Sequence, residues 1–316
     1  MSVCWEKNLN KLKKQHGKIA EILAGASVSY IDIPSHYNTG DLFIYLGTEC
    51  FFSKYNVDVR YRAIQSSVNK SSIAKNDVII VHGGGNFGDL YLKHHRMREA
   101  FLLEFSHKKI IFMPQSIHFN DEANIEETRV FFSKLKDVML YVRDDESYKI
   151  GKKLTDNVEL LPDMAHSLHP LIETCEIVNI QSEKKKVLNL KRVDCESVED
   201  NRNVAKRSFD WEDLCSSSDI IFNRLIQESK RLPFIREQVL RLWTRQINYN
   251  VTSAINYVSN FDLVYTDRLH GFLIAYLLGK EVVLLDNCYG KISRYHSRWF
   301  SACELITTYD EKIIHE

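Results

Sequence analysis

Short apolar runs rich in Val and Ile recur along the first half of the chain, at 28–33, 57–63, 77–81, 109–113, 138–142 and 158–161. Short runs of this kind read as buried strands of a parallel sheet. Between most of them lie stretches with helical spacing, at 41–54, 89–105, 126–135 and 145–154, three of which open on an Asp of the N-cap type. The link between 57–63 and 77–81 is the least regular. Repeated strand–helix–strand units predict an α/β fold built on a doubly wound parallel sheet.

The plan is interrupted once and then resumes. A charged run, Glu183-Lys184-Lys185-Lys186, reads as a surface linker, and a new strand pattern follows at 187–190. Residues 195–208 are polar and loop-like. Helical patterns dominate 219–257, broken by Pro233, before a strand at 262–266, a helix at 270–278 and strands at 281–285 and 304–307. The expected organisation is an N-terminal Rossmann-like domain over 1–175 and a C-terminal one over 176–316, facing each other across a cleft. In open α/β sheets ligands bind beyond the carboxyl ends of the strands.

Composition narrows the function. The chain has 316 residues with 42 Lys+Arg against 42 Asp+Glu, a balance that argues against a nucleic-acid binder working through a basic surface but leaves room for a local basic pocket. At this length a single core stops growing, which agrees with two domains. The charged first residues do not read as a signal peptide, and no apolar run reaches the ~18 residues of a spanning helix. Seven scattered cysteines without a C-x-x-C pair fit reduced cytosolic thiols rather than a structural zinc. His94, His95, His107 and His118 lack ligand spacing, so no metal is expected. The stretch 231–245 mixes arginines with apolar residues; a core-packed helix with a charged outer face is preferred to a membrane-touching one.

The strand ends carry the chemistry. After 28–33 come Asn38, Gly40 and Asp41, where a Gly before a helix start leaves backbone N–H groups free for an anion. Taken alone, Asp41 reads as an ordinary N-cap. After 77–81 comes His82-Gly83-Gly84-Gly85-Asn86-Phe87-Gly88-Asp89, formally G-x-G-x-x-G. A dinucleotide site is not the reading, because the motif follows about the third strand. The acidic ribose partner expected about 20 residues on is also replaced by Met113-Pro114-Gln115-Ser116. The glycines permit either close approach to a ligand or a tight turn. Arg143, Asp163, Arg192, Arg268 and Lys291 fall at or just beyond later strand ends. Each cation alone reads as solvated or ion-paired. Four at successive strand ends suggest a small polyanion, which arginine grips bidentately. Arg268 and His270 bracket a helix start, and His270 is the candidate for proton transfer near neutral pH. There is no G-x-S-x-G, P-loop, H-E-x-x-H or paired Asp-x-Asp run.

These blocks, in order, resemble the bacterial polysaccharide pyruvyl transferases, in particular their exopolysaccharide-operon branch. The likeness rests on Asn38-x-Gly40-Asp41, Gly83 to Tyr91, Pro114-Gln115-Ser116-Ile117, Arg143-Asp144-x-x-Ser147-Tyr148 and Pro162-Asp163-Met164-Ala165. It continues through Arg192-x-Asp194-x-Glu196, Asp210-Trp211, Thr266 to Gly271 and Asp286-Asn287-x-Tyr289-Gly290-Lys291. The resemblance implies a fold like the B-type glycosyltransferases. It also implies transfer of a pyruvyl group from phosphoenolpyruvate onto two hydroxyls of a hexose in a surface polysaccharide or its precursor, giving a ketal. In the family the Arg-Leu-His block is associated with phosphoenolpyruvate, which carries over to Arg268 and His270. On this reading Arg268, Arg143 and Lys291 hold the donor anion, with Arg192 ranked behind them. Asn38, Gln115 and the loop Gly83, Gly84, Gly85, Asn86 contribute to binding. His270 acts as acid, and Asp41 or Asp163 acts as base or orients the sugar. No cofactor or metal is required. The expected protein is cytoplasmic, with peripheral attachment to the inner membrane face and a lipid-linked acceptor both left open, and with no oligomeric state implied. A glycosyltransferase using a nucleotide sugar, and a non-catalytic sugar-binding relative, are the competing expectations.

Overall fold

The structure is a computed structural model that describes residues 3–64, 67–171, 185–191, 209–214, 217–229, 233–285, 290–300 and 303–309. The first half builds a seven-stranded sheet from β1 (Ser27–Ile31), β2 (Asp58–Arg62), β3 (Val78–Val81), β4 (Gly84–Gly88), β5 (Lys109–His118), β6 (Asp137–Val142) and β7 (Val158–Leu160). The path runs β2-β1-β3-β5-β6-β7, with β4 paired to the far end of β5, and every described pairing is parallel. The connection order reverses between β1 and β3. That is the switch point where loops diverge and a ligand can sit.

Side chains alternate across this sheet. Tyr30, Ile80, Met113 and Tyr141 join one core, and Ile79, Phe112, Leu140 and Val142 join the other. The edge strand β2 is polar and half exposed, as an edge requires. The covering helices are α1 (Val3–Gln15), α2 (Gly17–Leu23), α3 (Thr39–Lys54), α4 (Lys70–Ala74), α5 (Leu92–Leu103), α6 (Glu122–Ser133) and α7 (Asp145–Leu154). Boundaries differ from the apolar pattern where caps take over. Asn38, not Asp41, caps α3; Asp121 caps α6, which starts at Glu122, four residues before the expected Glu126. The glycine run, expected as a loop, forms β4, because its backbone pairs with β5 beyond Pro114.

The second half builds a four-stranded parallel sheet, β11-β10-β9-β8, from β8 (Val187–Leu190), β9 (Leu263–Thr266), β10 (Glu281–Leu284) and β11 (Ile306–Thr308). Its helices are α8 (Ser217–Ser229), α9 (Arg236–Ser259), α10 (Leu269–Leu277) and α11 (Lys291–Trp299). Pro233 lies in a short 3-10 turn between α8 and α9, where the helical pattern breaks. The α9 helix buries Trp243, Ile247, Val251, Ala254 and Val258 while Arg241 and Arg245 face solvent. The α10 helix is apolar all round and buried from Gly271 to Leu277. The expected boundary at 175/176 lies in 172–184, outside the described residues.

One continuous core joins the two sheets, running from Trp5 on α1 through α3 and α10 to Ile306 on β11. Indole N–H groups tie the halves together. Trp5 donates to the Tyr276 carbonyl at 2.6 Å, Trp243 to that of Pro34 at 2.7 Å and Trp299 to that of Arg143 at 2.8 Å. Among the described residues, no helix is long and apolar enough to cross a membrane.

Candidate active site

The carboxyl ends of β3, β5, β6 and β7 deliver His82, Gln115, Arg143 and the Pro162-Asp163 turn to one place. Arg143 is 3% exposed and bonded through two of its three nitrogens. Its Nε donates to Ser116 Oγ at 2.8 Å and its Nη1 to Asp163 Oδ2. Its Nη2 explains Gly85, where a Cβ would stand 3.3 Å from that nitrogen. Asp163 is wholly buried and caps a short 3-10 helix (Met164–Leu168), accepting from Ala165 N at 2.9 Å. Burial alone would raise its pKa. The neighbouring His270 and then Arg143 outweigh that and hold the carboxyl far below the usual range.

His270 comes from the other sheet. It is the second residue of α10, and its Nε2 lies 3.3 Å from Asp163 Oδ2. An ionised Asp163 can only accept, so Nε2 carries the proton. The other nitrogen, Nδ1, lies against Gly40 in the first turn of α3. Any side chain at Gly40 would overlap that ring, so glycine is required there by the approach of two helix N-termini. Arg143, Asp163 and His270 thus form one chain of charge, with only the imidazole partly open, its side chain 12% exposed.

Beside this chain, the Asp41 carboxylate is about a quarter exposed and pairs with His36 Nε2 at 2.8 Å. Burial works against its charge, but the His36 contact prevails and brings its pKa to about 2. Asp41 Oδ1 also lies 3.4 Å from where a Gly84 Cβ would stand, which puts Asp41 over the glycine loop. Asn38 spends its side-chain oxygen on Gly40 N at 3.0 Å. Asn86 accepts from Arg98 Nη1 at 3.0 Å, and Arg98 also pairs with Asp32 at 3.1 Å and covers the Phe87 ring. The glycine loop is therefore anchored from below by a buried arginine. Gln115 is fully buried and donates from Nε2 to the His82 carbonyl at 2.6 Å.

Arg268 caps the start of α10 next to His270 and donates through Nη2 to Asp210 Oδ2. Lys291 is the first residue of α11, half-buried. That helix reaches the centre through two later residues on the same face. Tyr295 Oη accepts from Asp163 N at 2.9 Å and lies 3.0 Å from His166 Nε2, while Trp299 holds the Arg143 carbonyl. Gly83, Gly84, Gly85, Gln115, Arg143, Asp163, His270, Asp41 and Asn38 are thus brought together around the β1/β3 switch point. Arg192 lies outside the described residues. Among the described residues, no group of three or more His, Cys, Asp and Glu is arranged to hold a metal ion.

Four contributors were not singled out in the sequence. His82 stands at the end of β3, where the strand-end rule could have found it. Tyr295 and Trp299 follow Lys291 at intervals of four, a helical face that points back to the site. Arg98 carried no usable signal, because its partner Asp32 is 66 residues away.

Parallel α/β sheets with polar groups gathered at their carboxyl ends define a Rossmann-like protein whose candidate site lies at a topological switch point. The chain belongs to the polysaccharide pyruvyl transferase family, whose model matches residues 38–289. It is 33% identical over 294 residues to a Bacillus subtilis (strain 168) protein named "Putative pyruvyl transferase EpsO", covering 91% of this chain and 89% of that one. It is 27% identical to "Pyruvyl transferase 1" of Schizosaccharomyces pombe, covering 88% of this chain and 71% of that protein. A crystal structure of an uncharacterized Klebsiella pneumoniae protein shares the fold. Its TM-score is 0.60 at 21% identity, over 94% of this chain and 97% of that one.

Proposed function

We propose that this protein transfers the pyruvyl group of phosphoenolpyruvate to two hydroxyls of a hexose in a surface polysaccharide or its precursor, forming a cyclic ketal. The two sheets then act as two domains of B-type glycosyltransferase kind, with donor and acceptor meeting between β3–β7 and α10. The observation that carries this reading is the His270–Asp163–Arg143 chain facing the α3 N-terminus, in a member of a pyruvyl transferase family.

The chemistry follows from balance. A first sugar hydroxyl adds to C2 of phosphoenolpyruvate while C3 gains a proton and becomes methyl. The C2–O bond to phosphate then breaks, a second hydroxyl bonds to C2, and its proton leaves with a base or the phosphate. His270, held by Asp163 through Nε2, is the proton donor to C3. Asp163, enclosed and bonded, orients His270. Asp41, ionised and partly open, is the base for a sugar hydroxyl. Arg268 and Lys291, at the starts of α10 and α11, meet the phosphate and carboxylate, where the helix dipoles add to anion affinity. Arg143 acts through Asp163, and Arg192 remains a further cation for the donor. The scheme calls for no cofactor. The acceptor is a soluble or lipid-linked saccharide, and a lipid-linked one would bring the protein to the cytoplasmic membrane face.

The test is incubation with phosphoenolpyruvate and a panel of β-linked hexosides, following phosphate release and ketal formation by NMR. Phosphate and ketal in equal amounts support the reading. No product across the panel, together with thermal stabilisation by nucleotide sugars but not by phosphoenolpyruvate, would replace it with glycosyl transfer.

A further inference from the structure

Two buried polar atoms next to this site have no protein partner. His82 is 2% exposed, and its Nδ1 is occupied by Tyr30 Oη at 2.5 Å, but Nε2 bonds to nothing. Gln115 is fully buried and its Oε1 is likewise unpartnered. The two residues touch, since Gln115 Nε2 donates to the His82 carbonyl at 2.6 Å. That bond fixes the amide: turning it over would set two acceptors against each other. The unpaired atom is therefore an acceptor. Burying unpaired polar groups is costly, so native proteins give them a partner.

The chemistry of the pair restricts that partner. Gln115 Oε1 needs a donor and repels an anion. Burial brings the pKa of His82 down to about 4, although Asp41, Asp32 and Asp163 pull the other way, so the imidazole is neutral at physiological pH and offers no charge to a phosphate. A hydroxyl both donates and accepts, and so satisfies Gln115 Oε1 and, in either tautomer, His82 Nε2. Neither atom is open to bulk solvent, so the group that meets them is enclosed with them.

We infer that His82 Nε2 and Gln115 Oε1 form a subsite for one hydroxyl of the sugar acceptor, separate from the cations that hold the donor. The inference rests on the pyruvyl-transfer reading and adds to it the residues that recognise the acceptor. Tyr30 positions His82, and the strand ends of β3 and β5 hold the pair beside Asp41, the base assigned to the sugar.

The experiment compares acceptors that differ by one hydroxyl. p-Nitrophenyl β-galactoside and β-glucoside, with their monodeoxy analogues, are assayed with phosphoenolpyruvate on the unaltered protein, on His82→Phe and on Gln115→Met. In the unaltered protein, removing one particular hydroxyl lowers kcat/KM about tenfold to a hundredfold, the penalty for leaving both buried atoms unpaired. In each variant that penalty shrinks towards unity, while the KM for phosphoenolpyruvate stays within about twofold. His82→Asn and Gln115→Leu serve in place of any variant that does not fold, judged by circular dichroism. A deoxy penalty unchanged in the variants, or no penalty at any position in the unaltered protein, overturns the inference and leaves the atoms to an enclosed water. Absence of all transfer overturns the pyruvyl reading instead. Calorimetric binding of the same hexosides then decides the subsite: affinity lost in the variants supports it, and equal affinity overturns it.

Discussion

In the proposed mechanism His270 and Asp163 divide one task between a partly exposed imidazole and a buried carboxylate. Replacing His270 with Ala removes the proposed proton donor and lowers kcat about a hundredfold to ten-thousandfold, while Asp163 keeps its pairing with Arg143. Asp163→Asn behaves differently. It lowers kcat and also destabilises the protein by about 3–5 kcal/mol, because Arg143 stays buried with its charge unpaired. Urea unfolding beside steady-state kinetics separates the two; an Asp163→Asn protein as stable as the parent contradicts the buried pair. At this scale the strand-end rule made Arg143, Asp163 and His270 legible. It did not foretell that Arg143 pairs with Asp163. A buried ion pair joins residues 20 apart in the chain, and no local pattern records which cation faces a ligand and which faces a carboxylate.

The α3 helix illustrates how two identical residue types serve different ends within one element. Gly40, in its first turn, admits the His270 ring, whereas Gly47, in its middle, admits the Met164 backbone carbonyl. Alanine gains about 1 kcal/mol in helix propensity at either site. At Gly47 the new Cβ overlaps backbone that cannot turn aside, and overpacking of this kind costs about 1–3 kcal/mol, so Gly47→Ala is destabilising on balance. At Gly40 the obstacle is a side chain. Gly40→Ala keeps stability near the parent value but displaces His270, with kcat reduced at least tenfold. Chemical denaturation and kinetics on the pair check this; equal activity losses at both positions contradict the assignment. Strands and helices of the first half were readable because apolar runs and caps are local signals. The α1 and α2 helices were not, since α1 is strongly polar overall and its Trp5 packs against residues distant in sequence, His169 and Tyr276. The glycine strand β4 was equally hidden, because its pairing partner lies on β5 rather than beside it in sequence.

Across the whole molecule, the recurrence of strand and helix patterns foretold two parallel sheets, but their union depends on contacts no periodicity encodes. The indole bonds of Trp5, Trp243 and Trp299 span 156 to 271 residues. Three histidines are buried in the core, one of them, His166, against a residue of the second half. His16 bonds Ser167 Oγ at 2.7 Å and lies 3.1 Å from the Pro162 carbonyl, His166 meets Tyr295, and His82 meets Tyr30. Burial lowers their pKa values to about 4, 3 and 4 respectively, below the 6.5 of an unfolded histidine. With folded values depressed, the unfolded chain binds these protons first, so stability is full above about pH 6.5 and is lost as pH falls towards 4. Each group withdraws about 1.4 kcal/mol per pH unit within that window. The carboxylates act later: Asp41, with a pKa of about 2, loses its contribution only between about pH 4 and 2. The expected result is a melting temperature nearly constant from pH 8 to 7 that falls steeply between pH 6 and 4. In His166→Phe the fall becomes shallower by one proton, because that ring no longer titrates on unfolding. Melting curves across this range, converted to protons taken up on unfolding, decide the matter. A flat profile down to pH 4, or an unaltered slope in the variant, shows that these buried histidines do not stay neutral in the folded protein.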